Sequence, residues 1–145
     1  MKKRKGQALV ELALVFPFFL LIVIGGIIDL GFAFYNSLTL QQIVNNTAKF
    51  AAYNSANTLQ TSEYANSQKP KWWDGSFSVY PSAPKTLETG GKIYSVAISY
   101  DCPAYTPFYK IMYKATSGTQ YFKLYAKAAY KAPEYISSDI TGENQ

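Results

Sequence analysis

The sequence contains no histidine and a single cysteine among its 145 residues. Without histidine, the chain lacks the commonest general base and metal ligand. The single cysteine, Cys102, allows neither an intrachain disulfide nor a cysteine-ligated zinc cluster. It precedes Pro103, and we expect a small buried residue there, with a reactive thiol as the alternative. The sequence also shows no glycine-rich nucleotide loop. We therefore predict a protein with no enzymatic activity, no cofactor and no metal.

Charged residues are also scarce, at 16% of the chain, and they are unevenly distributed. Four of the 14 Lys and Arg residues occupy positions 2–5, and the remaining ten bases face nine acids. The alkaline pI is therefore largely a property of this basic leader. Beyond the leader the lysines are scattered, which argues against a nucleic-acid partner.

A long apolar run follows the leader. Leu12 to Ile28 are 17 residues without a charge, and 13 of them are Leu, Ile, Val or Phe. At about −0.3 to −0.6 kcal/mol each, these 13 side chains favour membrane insertion by about 5 kcal/mol. The run is longer than a typical signal-peptide core, and Asp29 precedes the small-residue site Gly31-Phe32-Ala33. We predict a retained membrane helix, with a secretory signal cleaved near Ala33 as the alternative.

The orientation of this helix follows from its flanking charges. Four bases precede the apolar run, whereas the first base after it is Lys49. The positive-inside rule therefore predicts a single-pass protein of the cytoplasmic (inner) membrane. Its N-terminus lies in the cytoplasm, and the residues after about 35 are extracytoplasmic.

Three short motifs resemble the N-terminal signature of TadE-like minor pilins (pseudopilins). These pilins belong to the tight-adherence (Tad, Flp) branch of the type IV pilus superfamily. The motifs are Gly6-Gln7-Ala8-Leu9-Val10-Glu11, Leu12-Ala13-Leu14-Val15-Phe16-Pro17 and Gly26-Ile27-Ile28-Asp29-Leu30-Gly31. The glycine followed by four uncharged residues and an acid is moderately specific, and the three motifs together are strongly so. The resemblance covers about the first 53 residues.

The resemblance implies a processing site between Gly6 and Gln7, cut by a prepilin peptidase. Glu11 then becomes the fifth residue of the mature chain, where related pilins pair the acid with the N-terminal amine of a neighbouring subunit. Such an amine has a pKa of about 8 and is charged at neutral pH. Two alternatives stay open: Glu11 snorkels to the lipid headgroups, or Gln7 cyclises and removes the amine.

Two further residues of the apolar run are candidates for assembly. Asp29 lies beside Gly25, Gly26 and Gly31, whose missing side chains let another helix approach closely. Asp29 is therefore expected either to orient a partner subunit or to face water at the interface. Pro17 removes one backbone hydrogen bond, so a kink or a local loosening is expected there.

After the membrane, the helix is predicted to continue to Tyr53 and then to break at 54–57. One helical face is marked by three-four spacing: Leu40, Ile43, Val44, Thr47, Ala48 and Ala51. Alternating patterns predict strands at Ser76–Tyr80, Tyr94–Tyr100, Tyr109–Lys114 and Phe122–Lys131. A short helix is expected before Pro70.

These elements predict an α+β fold, in which the distal half of a long N-terminal helix packs on a small antiparallel sheet. The predicted segments are the leader 1–6, a transmembrane and polymerisation helix 7–35, its amphipathic continuation 36–57, an extracytoplasmic β-rich domain 58–134 and a polar tail 135–145.

Aromatic residues are abundant, with 13 tyrosines, and Trp72-Trp73 lies on a predicted loop. Such side chains suit protein, sugar or membrane surfaces, although in a sheet they more often form the core. We identify Trp72 and Trp73 as the pair to test for contact with a ligand or partner.

Two functions follow from the sequence. The first is a processed minor pilin that enters, or primes, a Tad-type pilus for adhesion or surface colonisation and so ends in a filament or hetero-oligomer at the cell surface. Its implied partners are the prepilin peptidase, other Tad/Flp pilins and the inner-membrane assembly platform. The alternative is a permanently signal-anchored extracytoplasmic binding protein with an aromatic ligand surface.

Overall fold

The computed structural model describes residues 3–88 and 90–133, and the predicted tail 135–145 lies outside them. Three helices and four strands follow in the order α1 (Lys3–Tyr53), α2 (Thr58–Ser67), β1 (Phe77–Pro81), β2 (Lys85–Thr86), β3 (Lys92–Pro103), α3 (Pro107–Ser117) and β4 (Tyr121–Lys131). The fold is α+β, as predicted, with a long apolar N-terminal helix packed on a small antiparallel sheet.

The helix α1 has 51 residues and, at 1.5 Å per residue, is about 75 Å long. It ends at Tyr53, as predicted, and it continues through Pro17 as one helix. It begins at Lys3, four residues before the predicted start, because lysine and arginine favour a helix as strongly as most apolar residues do. A kink at Pro17 stays a prediction.

The buried residues of α1 form one stripe, which begins at Gly25 and continues to the end of the helix. Its members recur every three or four positions: Gly25, Gly26, Asp29, Ala33, Asn36, Leu40, Ile43, Val44, Thr47, Ala48, Ala51 and Ala52. The face predicted from Leu40 to Ala51 is therefore the face that packs on the sheet. The stripe also extends 15 residues closer to the N-terminus than Leu40.

The central strand of the sheet is β3. The strand β4 pairs with one edge of β3 over its whole length, from Ile93↔Lys131 to Pro103↔Tyr121. The strands β1 and β2 pair in turn with other positions of β3, and all of these pairings are antiparallel. Alternate side chains of β3 are buried against α1, and they form the core with Leu40, Val44 and Trp73.

The segment between α1 and α2 is a tight turn. Ser55 adopts a positive φ of 48°, and Asn57 caps α2. The side chain of Asn57 accepts a hydrogen bond from the Gln60 backbone N–H at 2.8 Å, and the Gln60 side chain accepts one from the Asn57 N–H at 3.1 Å. This reciprocal pair satisfies two helix-terminal donors, which explains why the predicted short helix begins here.

The prediction of a strand at Tyr109–Lys114 was wrong, because these residues lie in the helix α3. Alternation of aromatic or aliphatic residues with Lys110 and Lys114 imitates a strand pattern. The ends of the segment carry the stronger helix signals: Pro107 occupies the first turn, and Gly118 ends the helix at φ 69°. The helix α3 therefore replaces a predicted strand between β3 and β4.

Candidate functional site: the N-terminal helix and its junction with α3

The first half of α1 is an exposed apolar rod. All 19 residues from 6 to 24 are exposed, and they extend for about 30 Å at 1.5 Å per residue. This length matches the hydrocarbon thickness of a bilayer. Within the described residues, α1 is the one helix long and apolar enough to cross a membrane. One apolar helix of this kind fits single-pass anchoring.

The predicted processing site lies near the free end of this rod. Gly6 and Gln7 are exposed, and the space beside Gly6 is empty within 4 Å of where a side chain would begin. The peptide bond between them lies in the first turns of α1, where several N–H groups have no helical partner. Glycine also favours a helix less than any residue except proline. Local opening at Gly6 is therefore inexpensive, as a protease that needs an extended peptide requires.

Glu11 follows one helical turn after Gln7. The Gln7 amide Nε2 lies 3.5 Å from the Glu11 Oε1, and both side chains are exposed. The described fold places no cation against this carboxylate, so its surroundings are set by whatever surrounds the rod. The assembly roles of Glu11 and Pro17 stay predictions.

Asp29 lies where the rod meets the folded body, and it is only 2% exposed. Its Oδ1 accepts hydrogen bonds from the backbone N–H groups of Tyr105 at 2.8 Å and Thr106 at 3.0 Å. The Thr106 hydroxyl donates a further hydrogen bond to Oδ2. Thr106 is the N-cap of α3, and its own side chain does not cap the helix. The Asp29 carboxylate supplies that cap from another element and places a negative charge at the positive end of α3.

Two glycines let α3 approach this part of α1. A side chain added at Gly25 would meet the Thr106 side chain at 3.5 Å, and one added at Gly26 would collide with the Tyr109 ring. The Tyr109 hydroxyl also lies 3.4 Å from the Ile22 carbonyl oxygen. The close approach predicted from these glycines is therefore present, and the approaching helix belongs to the same chain.

This junction gives Asp29 an intrachain partner that the sequence analysis did not identify. The alternative in which Asp29 faces water is wrong, because the carboxylate is buried against Tyr105 and Thr106. A direct role in docking a second subunit stays a prediction. The partners lie 76 and 77 positions away in sequence and act through backbone N–H groups, so no side-chain motif could have identified them.

The predicted Trp72-Trp73 pair is divided by the fold. Trp72 is 58% exposed, whereas Trp73 is 3% exposed and stacks on Tyr100 with ring centroids 4.0 Å apart. The Trp73 Nε1 donates a hydrogen bond to the Asn36 Oδ1 at 2.9 Å. Trp73 is therefore a core residue and not a surface contact, and Trp72 alone keeps that role as a prediction.

Asn36 is a buried polar residue that sequence reasoning missed. Its carbonyl oxygen accepts from Trp73, and its Nδ2 donates to the Cys102 sulfur at 3.2 Å. The amide thereby fixes α1 to both the loop before β1 and the end of β3. Cys102 is buried, as expected, and its burial raises the pKa of the thiol. Among the described residues, no cluster of three potential metal ligands occurs.

A family model described as TadE-like protein matches residues 6–49 of the chain. No curated protein and no solved structure gives a significant match. The matched segment contains Gly6, Glu11, Pro17 and Asp29, and it confirms the resemblance drawn from those motifs. It covers about a third of the chain and ends within α1, ahead of α2 and the sheet.

Proposed function

We propose that this chain, whose first third is TadE-like and so associates it with Tad pilus systems and their components, is a processed minor pilin. In this role a prepilin peptidase cuts after Gly6, and the mature chain enters or primes a Tad-type pilus. The observation that carries the proposal is one arrangement: a Gly6-to-Glu11 motif at the free end of an exposed apolar rod of bilayer length, which continues without a break into the folded domain.

The rod serves both states of such a protein. In the membrane, its exposed apolar side chains contact lipid, and in a filament the same side chains contact neighbouring rods. Because residues 6–24 make almost no contact with the folded body, the rod can change its surroundings while the domain stays folded. A pilin that leaves the bilayer needs this independence. The domain then extends from the filament and carries its exposed aromatic residues, Trp72 among them, to the surface that it adheres to.

Glu11 supplies the docking charge in this scheme. Cleavage removes the basic leader and leaves an amine at Gln7, and an amine on a neighbouring chain neutralises the Glu11 carboxylate. Without that partner, a carboxylate surrounded by apolar rods would be costly. Cyclisation of Gln7 would remove the amine and this pairing, so the chemical form of residue 7 decides between them.

The experiment is intact-mass measurement and N-terminal sequencing of the chain, expressed with an active or an inactive prepilin peptidase. We expect the active enzyme to remove residues 1–6 and to expose Gln7 or its cyclised form. The Gly6→Asp variant should remain full-length in both cases. A full-length unsubstituted chain with the active peptidase would contradict the proposal.

The alternative function is a permanently anchored binding protein. The exposed indole of Trp72 favours it, because an aromatic group on the surface can contact a ligand. Such a protein needs neither the glycine nor the acid of the leader motif. An uncleaved chain in both expressions would support this alternative, and a cut near Ala33 would instead indicate an ordinary secretory signal.

A further inference from the structure

The helix α3 presents three different faces. Tyr109 and Tyr113 point to the body, where they contact Ile22 and Phe122. An apolar face at i, i+3, i+4 and i+7 consists of Phe108, Ile111, Met112 and Ala115, and all four are exposed. Lys110 and Lys114, one turn apart, form the third face and are also exposed. No residue of α3 is buried, although the helix is strongly amphipathic.

The position of α3 explains why an exposed apolar face is tolerated there. The chain enters and leaves α3 at the same end of the sheet, where Pro103 pairs with Tyr121 and the Ala104 N–H donates to the Gln120 carbonyl oxygen at 3.2 Å. This end of the sheet lies towards the apolar rod, because Thr106 meets Asp29 and Tyr109 reaches Ile22. The helix α3 therefore lies beside the end of the 30 Å exposed segment.

Aromatic rings occur at the same level. Phe32 of α1 and Tyr105 pack with ring centroids 4.8 Å apart, and both remain partly exposed. Amphipathic aromatic side chains concentrate at membrane–water interfaces. A helix with an apolar face and flanking lysines is suited to the same layer, because the lysines reach the headgroups while the apolar side chains enter the acyl boundary.

We propose that α3 is an interfacial helix that seats the domain on the outer leaflet of the bilayer spanned by α1. Phe108, Ile111 and Met112 enter the acyl boundary, and Lys110 and Lys114 contact anionic phospholipid headgroups. This inference rests on the membrane-inserted state in the proposed function. Continuity with the lipid-exposed rod and the two lysines favour lipid over a second copy of the chain as the occupant of the apolar face.

The test places a nitroxide label on the full-length protein in vesicles of phosphatidylcholine, with and without phosphatidylglycerol. Ile111→Cys is the test variant, because Ile111 is 71% exposed. Leu14→Cys in the rod and Leu59→Cys in α2 are the lipid and water controls, at 65% and 66% exposure. The buried Cys102 makes the unsubstituted chain the labelling blank. Collision with oxygen reports lipid, and collision with a nickel chelate reports water.

We expect the label at residue 111 to behave like the label at 14, with more oxygen contact in the anionic vesicles. Each lysine near an anionic surface contributes about 1 kcal/mol, or about fivefold, so Lys110→Gln with Lys114→Gln should lower the docked-to-undocked ratio about 25-fold. Circular dichroism checks that the double variant stays folded.

Three results would overturn the inference. Nickel access at residue 111 equal to that at residue 59 would place α3 in water. Protection from both reagents that increases with the protein-to-lipid ratio would identify a second copy as the occupant. Nickel access at residue 14 would show that the rod is not inserted, and the membrane-inserted state in the proposed function would then fail with the inference.

Discussion

At the scale of single residues, Asp29 joins the two halves of the molecule. It is the acid nearest to the outer end of the apolar rod, and its carboxylate is occupied by the start of α3. A buried carboxylate is stable when several donors surround it, and here two backbone N–H groups and one hydroxyl do so. The negative charge also complements the N-terminal end of α3. Asp29 therefore fixes how the domain is attached to its membrane helix.

Replacing Asp29 with asparagine should weaken this attachment. The amide keeps one acceptor oxygen but loses the charge and one set of hydrogen bonds, so we expect a loss of about 1–3 kcal/mol in the free energy of unfolding. Thermal unfolding in detergent micelles measures the effect. Glu63→Gln, at an exposed position of α2, is the control for removing an acid. An equal Tm for the two variants would show that the carboxylate does not hold α3.

Tyr100 provides a prediction about pH. Its ring is fully buried against Trp73, its hydroxyl has no hydrogen-bond partner among the described residues, and burial raises its pKa to about 12. The unfolded chain has the ordinary pKa of 10. The neutral phenol is therefore the form favoured by folding. Its contribution to stability is complete below pH 10 and is lost as pH rises towards 12.

The Tyr100→Phe variant tests this assignment. Near pH 7 we expect no loss of stability, because the substitution removes a buried hydroxyl without a partner. Between pH 10 and 12 the variant should lose less stability than the unsubstituted chain, by about 1 kcal/mol. Denaturant unfolding at several pH values measures the difference. Tyr80→Phe, at an exposed position of β1, should leave the pH dependence unchanged, and the same slope in all three proteins would contradict the prediction.

At the scale of elements, sequence periodicity predicted α1 and the two long strands well, because each buries one face. The spacing of Leu40 to Ala51 predicts the sheet-facing stripe, and the alternation of Tyr94 to Tyr100 predicts the buried face of β3. The helix α3 lacks such a signal, because no residue in it is buried. Its apolar side chains belong to two faces, one directed to the body and one exposed. A pattern divided in this way resembles alternation.

The contact between α1 and α3 can be tested with two glycines of the same helix. Gly26→Ala places a methyl group against the Tyr109 ring, whereas a methyl group at Gly31 meets nothing within 4 Å. Both changes raise helix propensity by about 1 kcal/mol, so their difference isolates the contact. We expect Gly26→Ala to be less stable than Gly31→Ala by about 1–3 kcal/mol, with faster hydrogen exchange in α3. Equal exchange in the two variants would mean that α3 does not rest on Gly26.

At the scale of the whole molecule, the division between membrane segment and domain differs from the one that hydropathy suggests. Composition changes near residue 35, and the sequence analysis placed a segment boundary there. The folded body nevertheless begins to contact α1 at Gly25, because α3 extends along the helix to Asp29 and Gly26. Hydropathy cannot reveal such a contact, since glycine is neutral in this respect and Asp29 contributes through distant backbone groups. The segment from 25 to 35 thus belongs to the apolar run and to the domain at once.

Two shortened chains distinguish these divisions. A chain that begins at residue 25 keeps Asp29 and the glycine contacts, whereas one that begins at 36 loses both. The exposed residues 6–24 contribute little to the fold, so we expect the longer fragment to keep the Tm of the full chain in the same mild detergent. The shorter fragment should unfold about 5–15 °C lower, because the N-terminus of α3 loses its external cap and Asn36 becomes a helix end. Introducing Asp29→Asn into the longer fragment should account for part of that difference. If the two fragments unfold at the same temperature, the domain ends at residue 36 and the junction at Asp29 adds nothing to its stability.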